Sequence, residues 1–426
     1  MSDIKNPLII FTPSGKRGNF PVGTPVLDCA RKLGVDLDSV CGGRGICSKC
    51  QVTPSYGEYP KHGVKVRETA LSTWNSVEER YNEKRGLSQG RRLGCQAKII
   101  SDVIIDVPAE SQVHKQVIRK RAEALDITMN PSTKLFYVEV QEPNMHDPTG
   151  DLERLRIALK HEWQLPELYM DISLLKDLQK TLRKGNWAIT CAVHSGDQSV
   201  PPHITKIWPG FYEGSIYGLA VDIGSTTIAA HLCELKTGEV ITSSGLMNPQ
   251  IRFGEDLMSR VSYSMMNADG ADEMTSAVRQ GLNDLFTKIC DDGGIDVDLV
   301  LEAVLVCNPV MHHLLLGIDP FELGQAPFAL ASSNAQAFKA KEIDINLSSE
   351  TRIYMLPCIA GHVGADAAAV ALSEQPGNSN DLTLVVDVGT NAEILLGNKE
   401  KVLALSLIHI SEPTRRYAIS YAVFCL

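Results

Sequence analysis

Four cysteines constrain this chain more than any other feature. Cys41, Cys47 and Cys50 stand in a C-x5-C-x2-C run, Cys41-Gly42-Gly43-Arg44-Gly45-Ile46-Cys47-Ser48-Lys49-Cys50, and Cys95 follows in Leu93-Gly94-Cys95-Gln96. Four soft thiolates suit a [2Fe-2S] cluster, which needs sulfur donors on both irons. A loop wrapped around such a cluster points backbone N–H groups at the sulfides, and glycine tolerates the positive φ this requires. The alternative is a structural zinc site. Zinc ribbons usually pair two C-x2-C knuckles, whereas this chain has one such pair, one cysteine before it and one distant cysteine.

The flanking residues fit a small β-rich fold. Pro7-Leu8-Ile9-Ile10-Phe11 predicts a strand, Ser14-Gly15-Lys16 and Arg17-Gly18-Asn19 supply turn chemistry, and Thr24-Pro25 predicts a helix start. That helix carries Leu27, Ala30 and Leu33 and stops at Gly34. Strand, hairpin and helix begin a β-grasp fold. Lys98-Ile99-Ile100 and Val103-Ile104-Ile105-Asp106-Val107 are expected to close it as strands, so the domain is read as residues 1–107. The polar stretch 51–92 is expected to be loop with one short helix at 69–80 covering one side of the cluster. Cys29 is read as a buried small residue. Spacing and the Gly-Gly-x-Gly-x-Cys pattern resemble adrenodoxin-type [2Fe-2S] ferredoxins.

Residues 108–131 are read as a solvated linker, with His114, Lys115, Arg119, Lys120 and Arg121 among few apolar positions. Residues 132–209 predict a small α+β middle domain, with strands at 134–140 and 187–193 and helices at 151–163 and 173–183. It presents no catalytic constellation, and Cys191 and His194 are read as structural.

The second strong signal is Leu219-Ala220-Val221-Asp222-Ile223-Gly224-Ser225-Thr226-Thr227, an apolar strand running into a turn and a second strand. Gly224 lets the backbone approach a phosphate, Ser225, Thr226 and Thr227 offer hydroxyls, and Asp222 can hold Mg²⁺ through water. The pattern repeats as Val385-Val386-Asp387-Val388-Gly389-Thr390-Asn391, 165 positions on from aspartate to aspartate. Two phosphate hairpins separated by a helical segment predict the actin-like layout of sugar kinases and chaperone ATPases, with ATP and Mg²⁺ clamped between two lobes. The first lobe is read as 216–375, and 382–404 as the start of the second. Helix 273–290 places Met274, Val278, Leu282, Leu285 and Ile289 on one face. Asp366, in Gly364-Ala365-Asp366, is the catalytic candidate for orienting an attacking water; a helix N-terminal aspartate can equally serve as a cap or dipole partner.

The net charge of −10 forces no basic surface and argues against a nucleic-acid partner. No apolar run reaches the roughly 20 residues that span a bilayer, so a cytoplasmic protein without membrane contact is expected. The overall fold class is multidomain α+β and α/β.

Both signals together resemble reductive activators of corrinoid proteins, in residues 41–50, 93–97, 222–227, 314–320, 357–366 and 387–397. The resemblance implies an ATP-dependent activator that returns a Co(II) corrinoid to Co(I) for methyl transfer. Its partners would be a corrinoid protein and an upstream low-potential electron donor, and a homodimer is compatible with this layout. The likeness stops after Ala404. Residues 405–426 resemble translated sequencing-adapter DNA, so a chain cut short within its second lobe is expected, with an exposed sheet edge and a weakened ATPase. A ferredoxin-type electron carrier with a nucleotide-sensing domain, and a small-molecule kinase, are the competing readings.

Overall fold

The computed structural model describes residues 6–35, 37, 39, 43–47, 49–108, 111, 128–196, 201–389, 392–407 and 423–425. In the first domain β1 (Leu8–Thr12), β2 (Arg17–Asn19) and α1 (Val26–Lys32) are followed by β3 (Gln51–Ser55), β4 (Gly57–Tyr59), β5 (Val64–Val66), α2 (Ser76–Arg85), β6 (Arg92–Leu93) and β7 (Val103–Asp106). The main sheet runs β2-β1-β7-β3-β6, with β1 parallel to β7, a β-grasp arrangement. The apolar run Ile9, Ile10 and Phe11 is wholly buried and packs with Val26, Leu27 and Ala30 of α1. Cys29 lies in the same core, and burial pushes its thiol up to about 12.

Three expectations shift. Thr24 does not cap α1: its hydroxyl donates to Pro21 O, and Pro25 is the N-cap. The helix expected at 69–80 begins at Ser76, because Asn75 Oδ1 accepts from the Val77 and Glu78 N–H groups and ends the preceding loop. Lys98 and Ile99 form isolated bridges to Pro25 and Leu71 instead of a strand.

The next unit holds β8 (Thr133–Glu139), α3 (Asp151–Trp163), β9 (Tyr169–Met170), α4 (Ile172–Lys184), β10 (Ala188–His194) and β11 (His203–Pro209). Its sheet runs β8-β10-β11-β9, and the helices bury Leu155, Leu159, Leu178 and Leu182 against it.

The first lobe follows: β12 (Tyr217–Ile223), β13 (Thr227–Glu234), β14 (Val240–Met247), α5 (Leu257–Met266), α6 (Gly270–Gly293), β15 (Val300–Cys307), α7 (Pro309–Leu316), β16 (Gln336–Lys339), β17 (Arg352–Met355) and α8 (Ala365–Glu374). Its sheet order is β14-β13-β12-β15-β17-β16. β12, β13 and β14 pair antiparallel, and β12, β15 and β17 pair parallel, the actin-like pattern. α6 lays Met274, Val278, Leu282, Leu285 and Ile289 into the core as the sequence predicts, each burial contributing about 2 kcal/mol relative to exposure. A last sheet of β18 (Thr383–Val388), β19 (Ala392–Gly397), β20 (Val402–Leu407) and β21 (Val423–Cys425) begins the second lobe. Ala404 falls inside β20, which continues to Leu407 and pairs with β21. β18 is an edge strand and leaves Leu384, Val386 and Val388 exposed.

Polar seams join the α+β unit to the first lobe. Thr133 Oγ1 donates to Glu302 Oε2 at 2.7 Å, and Lys206 Nζ donates to Asp298 O at 2.7 Å. At the other end Lys339 Nζ sits between Asp171 and Glu350 (2.6 Å to the latter), and Ser173 Oγ donates to Glu350 at 2.6 Å. Removing the ammonium leaves the buried Glu350 carboxylate poorly compensated. Lys339→Met is therefore expected to destabilise the protein by about 3 kcal/mol, measured by urea unfolding followed by tryptophan fluorescence.

Candidate functional site

The thiolate site is built by pairing β3 with β6. Their register sets Gln51 opposite Leu93, and Gly94 N–H donates to Cys50 O at 2.8 Å, which brings Cys50 and Cys95 together. A Cβ on Gly94 would stand 3.0 Å from Cys50 O. Cys50 and Cys95 are in hydrogen-bond contact, and this contact, followed by burial, pushes the Cys50 thiol well above the usual thiol range, with Cys47 also within electrostatic reach. Loading such a site with iron must therefore expel protons. Cys41 lies outside the described residues. Among the described residues no three ligand-type side chains gather tightly enough for one metal ion. Cys50 and Cys95 form a close pair, as each iron of a two-iron centre takes two thiolates.

The loop is shaped to admit such a group. Gly43 and Gly45 both have positive φ, and a Cβ on Gly45 would stand 2.5 Å from Val77 Cγ1. Gln96 Nε2 donates to Gly43 O at 3.0 Å and reaches Cys95 Sγ at 3.5 Å, while Asn75 donates to Gln96 Oε1 at 3.0 Å. Behind them Arg92 forms a two-pronged ion pair with the fully buried Glu78, at 2.9 and 2.7 Å, and Glu78 also accepts from Leu93 N–H. The pair pins α2 to the strand that leads into Cys95. Gln96, Glu78 and Arg92 were not legible as site residues, since the Arg92–Glu78, Leu93–Glu78 and Gln96–Gly43 contacts that place them span 14 to 53 positions.

The turn that the sequence marks as a phosphate candidate lies at the carboxyl ends of β12 and β15, where Ile223 pairs with Cys307. Gly224 N–H donates to Thr227 O at 2.9 Å and closes the turn. Ser225 is buried and its Oγ accepts from Asn308 Nδ2 at 3.1 Å; Asn308 also caps α7. Asn248 holds Gly224 O and Thr226 O from the other side. Arg260, fully buried, donates to Gly254 O, Gln250 Oε1 and Ser225 O, and burial lowers its guanidinium to about 9.

Asp366 sits on the first turn of α8, with Gly364 as the N-cap, and its Oδ1 accepts from Ala367 N–H at 2.9 Å. Desolvation pushes its carboxyl up to about 6, and the charges of Asp222 and Asp387 act the same way. The two aspartates of the repeated hairpins are thus brought within electrostatic reach of one carboxyl. Glu393, which the sequence did not single out, completes the group: desolvation, then Asp366 and Asp387, push it up to about 8. Gly389 is exposed on the second turn; Thr390 and Asn391 lie outside the described residues. Asp222, Asp387 and Glu393 thus lie within electrostatic reach of Asp366, beside the Gly224–Thr227 turn.

Comparisons with known proteins agree with this geometry. Residues 11–99 match the family model of the 2Fe-2S iron-sulfur cluster binding domain, residues 122–214 that of the RACo linker region, and residues 217–376 that of the RACo middle region. The chain carries the linker and middle regions of the RACo type and resembles the reductive activators of corrinoid proteins. In RACo terms the α+β unit is the linker region and the first lobe is the middle region. The chain is 26% identical over 383 residues to the corrinoid activation enzyme RamQ of Eubacterium limosum, covering 89% of this chain and 57% of that protein. It is 25% identical over 202 residues to the [Co(II) methylated amine-specific corrinoid protein] reductase of Methanosarcina barkeri, covering 45% and 36%. Among solved structures it resembles a reductive activator for corrinoid, iron-sulfur protein with a TM-score of 0.62 and 29% identity, covering 94% of this chain and 63% of that one. The chain thus spans less than two thirds of the length of these relatives. Among the described residues no helix is long and apolar enough to cross a membrane.

Two outcomes follow. Glu78→Ala leaves the Arg92 guanidinium buried without its carboxylate and is expected to destabilise the ferredoxin domain by about 3–5 kcal/mol, read as earlier loss of the cluster's visible absorbance in urea. Asp366 and Glu393 have folded values above their unfolded ones, so the folded state keeps protons that the unfolded chain has released. Their contribution to stability is present at low pH and is lost as pH rises from about 4 to about 8. In chelator, Glu393→Gln is expected to raise the thermal midpoint relative to the parent at about pH 8 and to leave it nearly unchanged at about pH 5.

Proposed function

We propose that this chain passes an electron from an upstream low-potential donor to the Co(II) corrinoid of a partner protein, giving Co(I) for methyl transfer, and that Mg·ATP at the acidic cleft drives the transfer. The observation that carries the reading is the presence, in one chain, of a close cysteine pair in a glycine cradle and two Asp-x-Gly hairpins whose aspartates both act on the Asp366 carboxyl. The printed names of the relatives, an activation enzyme and a Co(II) corrinoid-protein reductase, support the same conclusion.

Cys41, Cys47, Cys50 and Cys95 would hold the [2Fe-2S] cluster, which when bound takes up and gives away one electron at a time. The Gln96 amide, donating toward Cys95 Sγ, stabilises negative charge on that sulfur and so favours the reduced state. Ser225, Thr226 and Thr227, with Gly224, Gly389, Thr390 and Asn391, would grip phosphate from both sides of the cleft. Asp222, Asp387 and Glu393 would hold Mg²⁺ largely through its waters. Asp366, on the first turn of α8 and within electrostatic reach of Asp222 and Asp387, would orient an attacking water.

Co(I) is a strong reductant, so an ordinary donor does not populate it. Nucleotide can assist only if it binds two conformations of the activator–corrinoid complex unequally, one of which raises the cobalt potential. The electron balance is one out of the donor and one into cobalt.

Cys47→Ser is expected to abolish Co(II) reduction and to leave Mg·ATP affinity within about twofold, while Asp222→Ala is expected to weaken Mg·ATP binding at least about tenfold and to leave dithionite reduction of the cluster intact. Equal loss of both activities in each variant, by anaerobic spectrophotometry and calorimetry, would contradict the scheme.

A further inference from the structure

α1 of the ferredoxin domain does not end its contacts within that domain. Arg31 crosses to the first lobe, where its side chain is almost fully enclosed. Its Nε donates to Arg252 O at 2.6 Å and its Nη2 reaches Phe253 O at 3.4 Å. The guanidinium lies 4.6 Å from the Tyr263 ring centroid, within cation–π range, and Asp28 on the same helix holds it at 3.2 Å. Tyr263 is itself fixed by donating to Glu273 Oε2 at 2.6 Å.

The segment that receives Arg31 is the one that holds the phosphate turn. Residues 248–254 are one tight segment built on a single 3-10 turn, Pro249–Arg252, capped by Asn248. At its start Asn248 holds Gly224 O and Thr226 O. At its end Gly254 O accepts from Arg260, which also holds Gln250 Oε1 and Ser225 O. The loop has no slack: a Cβ on Gly254 would stand 2.7 Å from Ser259 Cβ and 2.9 Å from Arg260 N. The carbonyls of Arg252 and Phe253 lie between these anchors and point to Arg31. A cleft of about 750 Å³ flanks the contact, lined by Asp28, Arg31, Lys32, Arg252, Tyr263 and Asp272. The ferredoxin domain is thus held on this side by a few points and not by a sealed apolar seam, the kind of interface that opens and closes.

We propose that the ferredoxin domain docks on the first lobe by seating Arg31 on the 248–254 loop, and that phosphate in the Gly224–Thr227 turn strengthens this docking. The proposal rests on reading that turn as a phosphate site. Its direction follows from charge. An anion in the turn gives the enclosed Arg260 guanidinium a counter-charge across Ser225. Arg260 then holds Gln250 and Gly254 more firmly, and the carbonyls that accept from Arg31 are better fixed. By linkage, a docked ferredoxin domain must raise nucleotide affinity by the same factor.

Amide hydrogen exchange on the whole chain, with and without Mg·ATP, tests this. In the parent protein Mg·ATP is expected to slow exchange in the 224–227 turn, in 249–254 and in 26–32, the last by about fivefold. In Arg31→Ala the turn is expected to remain protected while 26–32 no longer responds, and Tyr263→Leu, altered only on the lobe side, should behave alike. A protected turn with 26–32 unresponsive in the parent overturns the coupling and leaves the nucleotide reading standing. A turn that Mg·ATP does not protect overturns both.

Discussion

The buried guanidinium of Arg260 is the interaction on which the actin-like half of this molecule depends. It is the largest fully buried side chain among the described residues, and its hydrogen bonds reach Ser225 O, Gln250 Oε1 and Gly254 O. Enclosing a charge costs several kcal/mol unless its donors are met. The surrounding backbone is therefore held to the few arrangements that meet them, and the phosphate turn is one of these. Burial lowers this arginine to about 9, while the nearby Asp256 and Glu255 carboxylates act the other way.

The thiolate half follows the same logic with different chemistry. Glu78 and Arg92 satisfy one another out of water and so fix α2 against the strand that carries Cys95. They set where one ligand stands, while Gln96 and the positive-φ glycines set how closely the backbone approaches. A rigid frame of this kind limits reorganisation when an electron arrives, and it leaves the exposed Ile46 and Arg44 at the loop surface where a partner can approach.

What the sequence disclosed was local or repeated. The cysteine spacing, the apolar run of Ile9, Ile10 and Phe11, the helix face from Met274 to Ile289 and the two Asp-x-Gly hairpins all lie within short windows, and the fold sets them in β-grasp and actin-like frames. The helix over the cluster was legible in kind but not in position, because Asn75 competes with the preceding residues for the first N–H groups. Glu393, Arg260 and Arg31 were not legible. Each looks like an ordinary surface residue in sequence, and each acquires its role from partners brought across the chain by sheet topology, Arg31 from carbonyls 221 and 222 positions away.

The account stands on one chemical identity, a two-iron centre held by Cys41, Cys47, Cys50 and Cys95. Anaerobic purification followed by iron, sulfide and zinc analysis tests it most directly. Two irons and two acid-labile sulfides per chain, with a paramagnetic signal appearing only on reduction, are the expected result. A colourless protein holding a single zinc on the same cysteines would contradict it.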